Sequence, residues 1–255
     1  MSEPILKIDV AGPVATLTMN RPDKRNAMCE ELLLAIDAFF SAPPKDLRVV
    51  IITGTAGHYC SGLDLSEHVH RSAEDNLYHS RKWHEVMEKI QFGGLAVVSA
   101  MFGAVIGGGL ELAASTHVRI AEPSTVFQLP EGRRGIFVGG GATARVSRLI
   151  GADRMTEMML TGRKYDAQDG VALGLAHYTV AEGAAMSLAG ELAGKISRNA
   201  PLSNYLMIQA IAKISDMSQS DGLFVESLAA SVSQTTPDAT EGLTAFLEKR
   251  PPKFR

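Results

Sequence analysis

The sequence predicts an α/β fold with a helical C-terminal third. Three observations carry this. Two β-branched, apolar runs, Leu47–Thr53 (LRVVIIT) and Leu95–Phe102 (LAVVSAMF), read as short strands buried on both faces. Helical and turn patterns separate such runs, in the order strand, helix, strand, turn, helix, strand. From Gly139 onward the pattern is mostly helical.

In chain order, Ile5–Val10 and Val14–Met19 flank Ala11-Gly12-Pro13 and read as a β-hairpin. Asn26 is placed to cap a helix over Ala27–Phe40, with Leu32, Leu33, Ile36, Phe39 and Phe40 on one face. Pro43-Pro44 stops it, and the first buried strand follows. His58–Asp64 reads as a loop, followed by a polar helical region to about Ile90. After the second buried strand, Gly107–Ser115 turns into a helix. His117–Ala121 and Thr125–Gln128 are short strands. Further helices are expected at Ala142–Ile150, Asp153–Leu160, Ala167–Leu173, Gly183–Arg198, Leu202–Ile214, Gly222–Gln234 and Ala239–Lys249. The expected division is a core over residues 1–199 and a helical region over 200–255, parted at Asn199-Ala200-Pro201.

Composition narrows the function. A length of 255 residues, 45% hydrophobic and 21% charged, suits a globular chain. The net charge of −3 argues against a nucleic-acid partner, which wants a basic face. Cys29 and Cys60 have neither metal-ligand spacing nor the look of a disulfide framework. No basic-then-apolar signal precedes Lys7, and the apolar stretch Leu95–Gly109 is too short to span a bilayer. A cytoplasmic protein with reduced thiols, no membrane partner, no metal and no bound cofactor is expected.

Two carboxylates stand out. Glu111 follows Gly107-Gly108-Gly109, and Glu131 closes Phe127-Gln128-Leu129-Pro130. Both lie in apolar or glycine-rich surroundings, where burying a charge is costly without a task or a partner. Singly, each has a structural reading: Glu111 as a first-turn helix residue, Glu131 as a partner of Arg133 or Arg134. The glycine turn leaves unpaired N–H groups at a helix start, a natural oxyanion receptor. The loop Ser61-Gly62-Leu63-Asp64-Leu65 can supply a second donor from Leu63, while Asp64 suits a cap on the next helix. Two acid/base groups beside two such donors fit enolate chemistry.

Other motifs carry less. Gly139-Gly140-Gly141-Ala142-Thr143-Ala144 matches a dinucleotide-binding pattern, but no clear strand ending in an acidic residue follows. His68 and His70 lack a third metal ligand, and a solvated face accounts for them. His84 reads as a packing or surface histidine. No G-x-S-x-G elbow occurs.

Taken together, the chain resembles the enoyl-CoA hydratase/isomerase (crotonase) superfamily. The likeness runs from Asn20-Arg21-Pro22 with Asn26-Ala27, through Ser61–Leu65, Gly103–Ala113 and Leu129-Pro130-Glu131, to Leu160-Thr161-Gly162 and Ala167-Gln168 before Gly174-Leu175. It ends at Glu241-Gly242 and Phe246–Arg250. The resemblance implies a crotonase-like spiral of ββα units with a C-terminal helical region supporting a homotrimer or dimer of trimers. It implies a thioester oxygen held between the N–H groups of Leu63 and Gly108. Because both glutamates are present, it favours hydration: Glu111 positions and activates water, and Glu131 delivers the proton to C2. Lys24, Arg25, Ser61, Asp64 and Leu65 are the implied coenzyme A contacts, with Lys249 or Arg250 of a neighbouring subunit. Trp83, Met87, Phe137 and Val138 are candidate acyl-pocket residues. Departures from the family pattern, Val138 and Ala96 where proline is usual and Arg133-Arg134 after Glu131, bear on the acyl group accepted. Competing readings are double-bond isomerisation, hydration with retro-aldol cleavage of an aromatic acyl-CoA, and a non-catalytic RNA- or protein-binding member.

Overall fold

The computed structural model describes residues 3–67 and 71–254; His68 and His70 lie outside them. The strands are β1 (Leu6–Ala11), β2 (Val14–Met19), β3 (Val49–Gly54), β4 (Ala96–Met101), β5 (Ala104–Ile106), β6 (Val118–Ala121), β7 (Val126–Gln128) and β8 (Tyr178–Thr179). The hairpin is present, with Leu6 opposite Met19. From β2 on, the large sheet is parallel, in the order β1-β2-β3-β4-β6-β8. β5 and β7 form a second small parallel sheet.

Isolated bridges extend that second layer: Met28 with Leu63, Cys60 with Val105, and Phe127 with Tyr165. The chain therefore winds. Each of β2, β3 and β4 is followed by a stretch in the second layer and then by a helix: α1 (Glu30–Ser41), α2 (Ala73–Phe92) and α3 (Gly108–Ala114). β6 and β7 lead into α4 (Ala142–Ile150) and α5 (Ala152–Thr161), and Tyr165 leads into α6 (Ala167–Leu173). This is the ββα spiral that the resemblance implies. It is closed by the helices α7 (Ala185–Ile196), α8 (Pro201–Ile214), α9 (Gln219–Gln234) and α10 (Pro237–Leu247).

Cover on both faces explains why β3 and β4 are buried throughout and largely apolar. Val50, Ile52 and Val97 face the main core beneath α1 and α2. Val49, Ile51, Ala96 and Val98 face the opposite side, where Ala185, Ala189 and Ala193 of α7 form a small-residue stripe that lets the helix lie close. A Ser72–Asp75 capping box starts α2, and Lys82 and Lys89 tie it to Asp37 of α1 at 2.8 and 2.6 Å.

Three expectations need correction. α1 begins at Glu30, and Asn26 does not cap it. Asn26 is fully buried at φ 56°, and its amide binds Arg21 N and the carbonyls of Thr55 and His58 at 2.7–3.0 Å, pinning three segments together. The stretch between the second buried strand and Gly107, to which the sequence assigns no element, contains β5. β8, only two residues long, falls in a stretch for which no strand is expected.

Candidate active site

The parallel bridge between Met28 and Leu63 sets the first donor. Met28 N–H binds the Gly62 carbonyl at 2.7 Å, and Asp64 N–H binds the Met28 carbonyl at 2.9 Å. In a parallel ladder this pairing leaves the N–H of the intervening residue pointing the other way. The Leu63 N–H accordingly donates to no described residue, and neither does that of Gly108, at the first turn of α3. The two are close: a Cβ built on Gly108 would lie 3.4 Å from Leu63 N and 2.7 Å from the Trp83 ring. Glycine is thus required at 108, and the Trp83 ring walls the donor pair.

The glutamates have unequal surroundings. Glu111, 4% exposed on α3, accepts through Oε1 from Gly140 N at 2.7 Å and Ala142 N at 3.0 Å. Burial pushes its carboxyl up, while these donors and the Arg145 guanidinium pull it down. Glu131, 7% exposed, begins a 3-10 turn (Glu131–Arg134). Its Oε2 is buried with no partner among the described residues. Its Oε1 lies against Gly107, 2.7 Å from where a Cβ would stand. Burial, then the neighbouring Glu111 charge, pushes it up to about 7.

A cavity of about 400 Å³ opens over this cluster. Leu63, Leu65, Trp83, Glu111, Phe137 and Val138 line it, as do Asn76, His79, Ser80, Ile136, Gly139 and Gly140. Trp83 Nε1 donates to His79 Nε2 at 3.2 Å, and Ser80 Oγ to the Gly139 carbonyl at 2.6 Å. Of the α2 contributors only Trp83 is singled out in the sequence; Asn76, His79 and Ser80 are missed, although they share its face by helical spacing.

One sequence-predicted pocket residue is not where expected. Met87 is fully buried beneath Trp83's face of α2 and takes a contact from Ser115 Oγ at 3.5 Å; it is core and does not line the cavity. Asp64 is engaged internally: Oδ2 pairs with Arg21 at 2.8 Å, and Oδ1 accepts from the Ser66 hydroxyl at 2.7 Å. The Ser66 hydroxyl and then Arg21 hold its carboxyl down at about 2. Glu131 flanks the glycine turn without lining the cavity.

Lys24 and Arg25 are exposed and form no ion pair with a described residue, and the Ser61 hydroxyl donates to the Lys24 carbonyl at 3.1 Å, so this segment edges the donor loop. Arg250 is held by Glu241 and Glu248 at 2.6–2.7 Å. Arg133 donates to the Thr161 carbonyl at 2.6 Å. The glycine run at 139–141 opens α4, but the N–H groups of Gly140 and Ala142 serve Glu111, which removes the dinucleotide reading. Cys29 and Cys60 are both free and buried. Among the described residues, no cluster of three or more His, Cys, Asp or Glu could hold a metal, and no helix is long and apolar enough to cross a membrane.

Comparison with known proteins agrees with this geometry. The family model for enoyl-CoA hydratase/isomerase matches residues 9–255. A short-chain-enoyl-CoA hydratase of Clostridium acetobutylicum is 32% identical over 250 residues, covering 95% of this chain and 94% of the relative. A crystal structure from Rhodopseudomonas palustris CGA009, described as a candidate enoyl-CoA hydratase, is 46% identical with a TM-score of 0.94, covering 96% of this chain and 95% of that one. Enoyl-CoA hydratase from Bacillus anthracis is 31% identical with a TM-score of 0.93, covering 98% and 99%.

Proposed function

The chain belongs to the enoyl-CoA hydratase/isomerase family, and on that premise we propose that it hydrates an enoyl-CoA, adding water across the 2,3 double bond to give a 3-hydroxyacyl-CoA. One observation carries the reading: two unpartnered N–H groups, of Leu63 and Gly108, converge beside two buried carboxyl groups. The thioester oxygen accepts from both donors. As C3 is attacked, negative charge moves onto that oxygen, where each donor is worth about 3 kcal/mol.

The carboxyl groups divide the proton work. Glu111 holds the pair's charge best, because Oε1 accepts two N–H bonds whereas Glu131 Oε2 has none. Glu111 therefore takes a proton from the water whose oxygen bonds to C3. Glu131, protonated near neutrality, gives its proton to C2 as the enolate collapses. Transfer of the proton from Glu111 to Glu131 restores the resting state. The two titrate as a coupled pair.

Lys24 and Arg25 contact the coenzyme A phosphates, with Ser61 and Leu65 beside them. Trp83, Phe137 and Val138 shape the acyl end of the cavity. The helices over 200–255 form a region distinct from the 1–199 core and serve a homotrimer or dimer of trimers. Support comes from apolar side chains they leave exposed, Ile211, Phe224, Phe246 and Leu247 among them. The location proposed is cytoplasmic.

The test is a panel of short, long, branched and aromatic enoyl-CoA esters, followed by loss of the conjugated thioester absorbance. Turnover of at least one ester to the 3-hydroxyacyl product is expected. No hydration of any, or migration of the double bond alone, would sink the assignment. Light scattering on the eluting protein reads the assembly, and a monomer would refute that part.

A further inference from the structure

The turn that grips Glu111 is itself gripped from behind. Gly140 N and Ala142 N donate to Glu111 Oε1 on one side. On the other side Arg145, one turn into α4, donates through Nη1 to the Gly140 carbonyl at 3.3 Å. Its Nε donates to Gln91 Oε1 on α2 at 2.6 Å, which fixes the guanidinium plane. Gly141 adopts φ 106°, a conformation that favours glycine, and its missing Cβ is the space the guanidinium occupies. A continuous chain thus runs from Gln91 through Arg145 and the Gly140–Ala142 turn to Glu111. Both of these N–H bonds fall on Oε1, and Glu111 lines the cavity.

We infer that Arg145 is a positioning residue for the hydration chemistry: it braces the 140–142 turn so that both N–H groups meet one oxygen of Glu111 and leave the other for water. The inference rests on the hydratase reading for its kinetic part. A bound Arg fork and a charge near Glu111 make separable contributions, since lysine keeps the charge and loses the planar two-point brace. The groups around Arg145 are Glu111 of α3, Arg81, His84, Glu88 and Gln91 of α2, Arg148 of α4, and Lys213 and Asp216 of the α8 end. Arg148 is paired with Asp216, so Arg145 is the cation whose charge acts on Glu111 here.

The experiment uses full-length wild type, Arg145→Met, Arg145→Lys and Gln91→Leu. Each is assayed for crotonyl-CoA hydration across pH 5.5–9.5. Carboxyl titration is followed in parallel by pH-difference infrared spectroscopy, with Glu111→Gln assigning the band. Arg145→Met is expected to lower kcat about tenfold to a hundredfold with KM within about twofold. It should raise the Glu111 titration by about one pH unit. Arg145→Lys should restore the titration but only part of kcat. Gln91→Leu should cost kcat a few-fold. Wild-type kcat and titration in Arg145→Met would overturn the inference. So would equal loss in the Met and Lys variants with an unmoved titration, which marks packing alone. If Arg145→Met does not fold, Gln91→Leu decides, and unchanged kcat in it is the adverse result. A wild type that hydrates no enoyl-CoA defeats the functional reading, while the infrared titration still tests the brace.

Discussion

Glu111 and Glu131 stand on either side of one glycine turn, in two very different seats. Glu111 is a side chain received by the backbone: two N–H groups converge on one oxygen, and a guanidinium stands behind them. Glu131 is nearly as buried, yet one of its oxygens is given no partner. Burial raises both, but Glu111 is opposed by N–H groups held in another turn and by Arg145, whereas Glu131 has only its own N–H and a weaker pull from Arg134. Equal burial can thus yield unequal groups, one suited to carry charge and one suited to carry a proton.

The largest expected effect bears directly on that contrast. Glu131→Gln should cut hydration by several orders of magnitude without loss of fold, since it removes the transferable proton and keeps the shape. Near-normal turnover in that variant breaks the comparison. Next, Leu63→Pro deletes one donor and should cost about 10²–10³ in kcat, whereas Leu63→Ala should change it little. Loss of activity in both would mean that the side chain, and not its N–H, does the work.

A titration sharpens the comparison further. Glu131 sits at about 7 when folded, above its ordinary 4.5. Its contribution to stability is full below about pH 4.5 and is lost as pH rises through about 7. Relieving it by Glu131→Gln should therefore make the protein more stable at pH 8, by up to about 3 kcal/mol, with little gain at pH 4. Denaturant midpoints at the two pH values read this, and a gain independent of pH would contradict it. In the same sense, kcat/KM should fall as pH rises past about 7, because the protonated donor disappears.

The smallest effect concerns the cavity rim. Phe137 is 69% exposed and stands between the catalytic cavity and an apolar cleft lined by Met155, Met159 and Leu160. Phe137→Ala should alter crotonyl-CoA turnover less than about tenfold while shifting the preference toward longer acyl chains. A chain-length panel measures that ratio, and an unchanged ratio removes Phe137 from specificity.

Local chemistry was legible in the sequence where it was repeated along the chain. The β-branched runs of β3 and β4, the apolar face of α1 and the helix over Ala142–Ile150 are periodic, and they appear where the pattern places them. What depends on distant partners was not. An asparagine ahead of an apolar helix reads as a cap, yet the Asn26 amide reaches the carbonyls of Thr55 and His58, residues from another turn of the spiral. Trp83 and Met87 share a helix face by spacing, and only depth separates cavity wall from core. The Glu111 side chain was conspicuous for its setting, but its receptor lies 29 residues downstream. A glycine run with no visible strand ahead of it offered no local hint that its anion would be internal.

The Leu63 donor has a consequence for how such a site can change over generations. Its direction is imposed by the pairing of Met28 with Leu63, and no side chain at position 63 takes part. Single-base changes that swap one ordinary residue for another there leave the donor intact. An inserted or deleted residue between Cys60 and Asp64 would turn it away. Lineages descended from this protein should therefore tolerate drift in spelling at that loop and be intolerant of any change in its length.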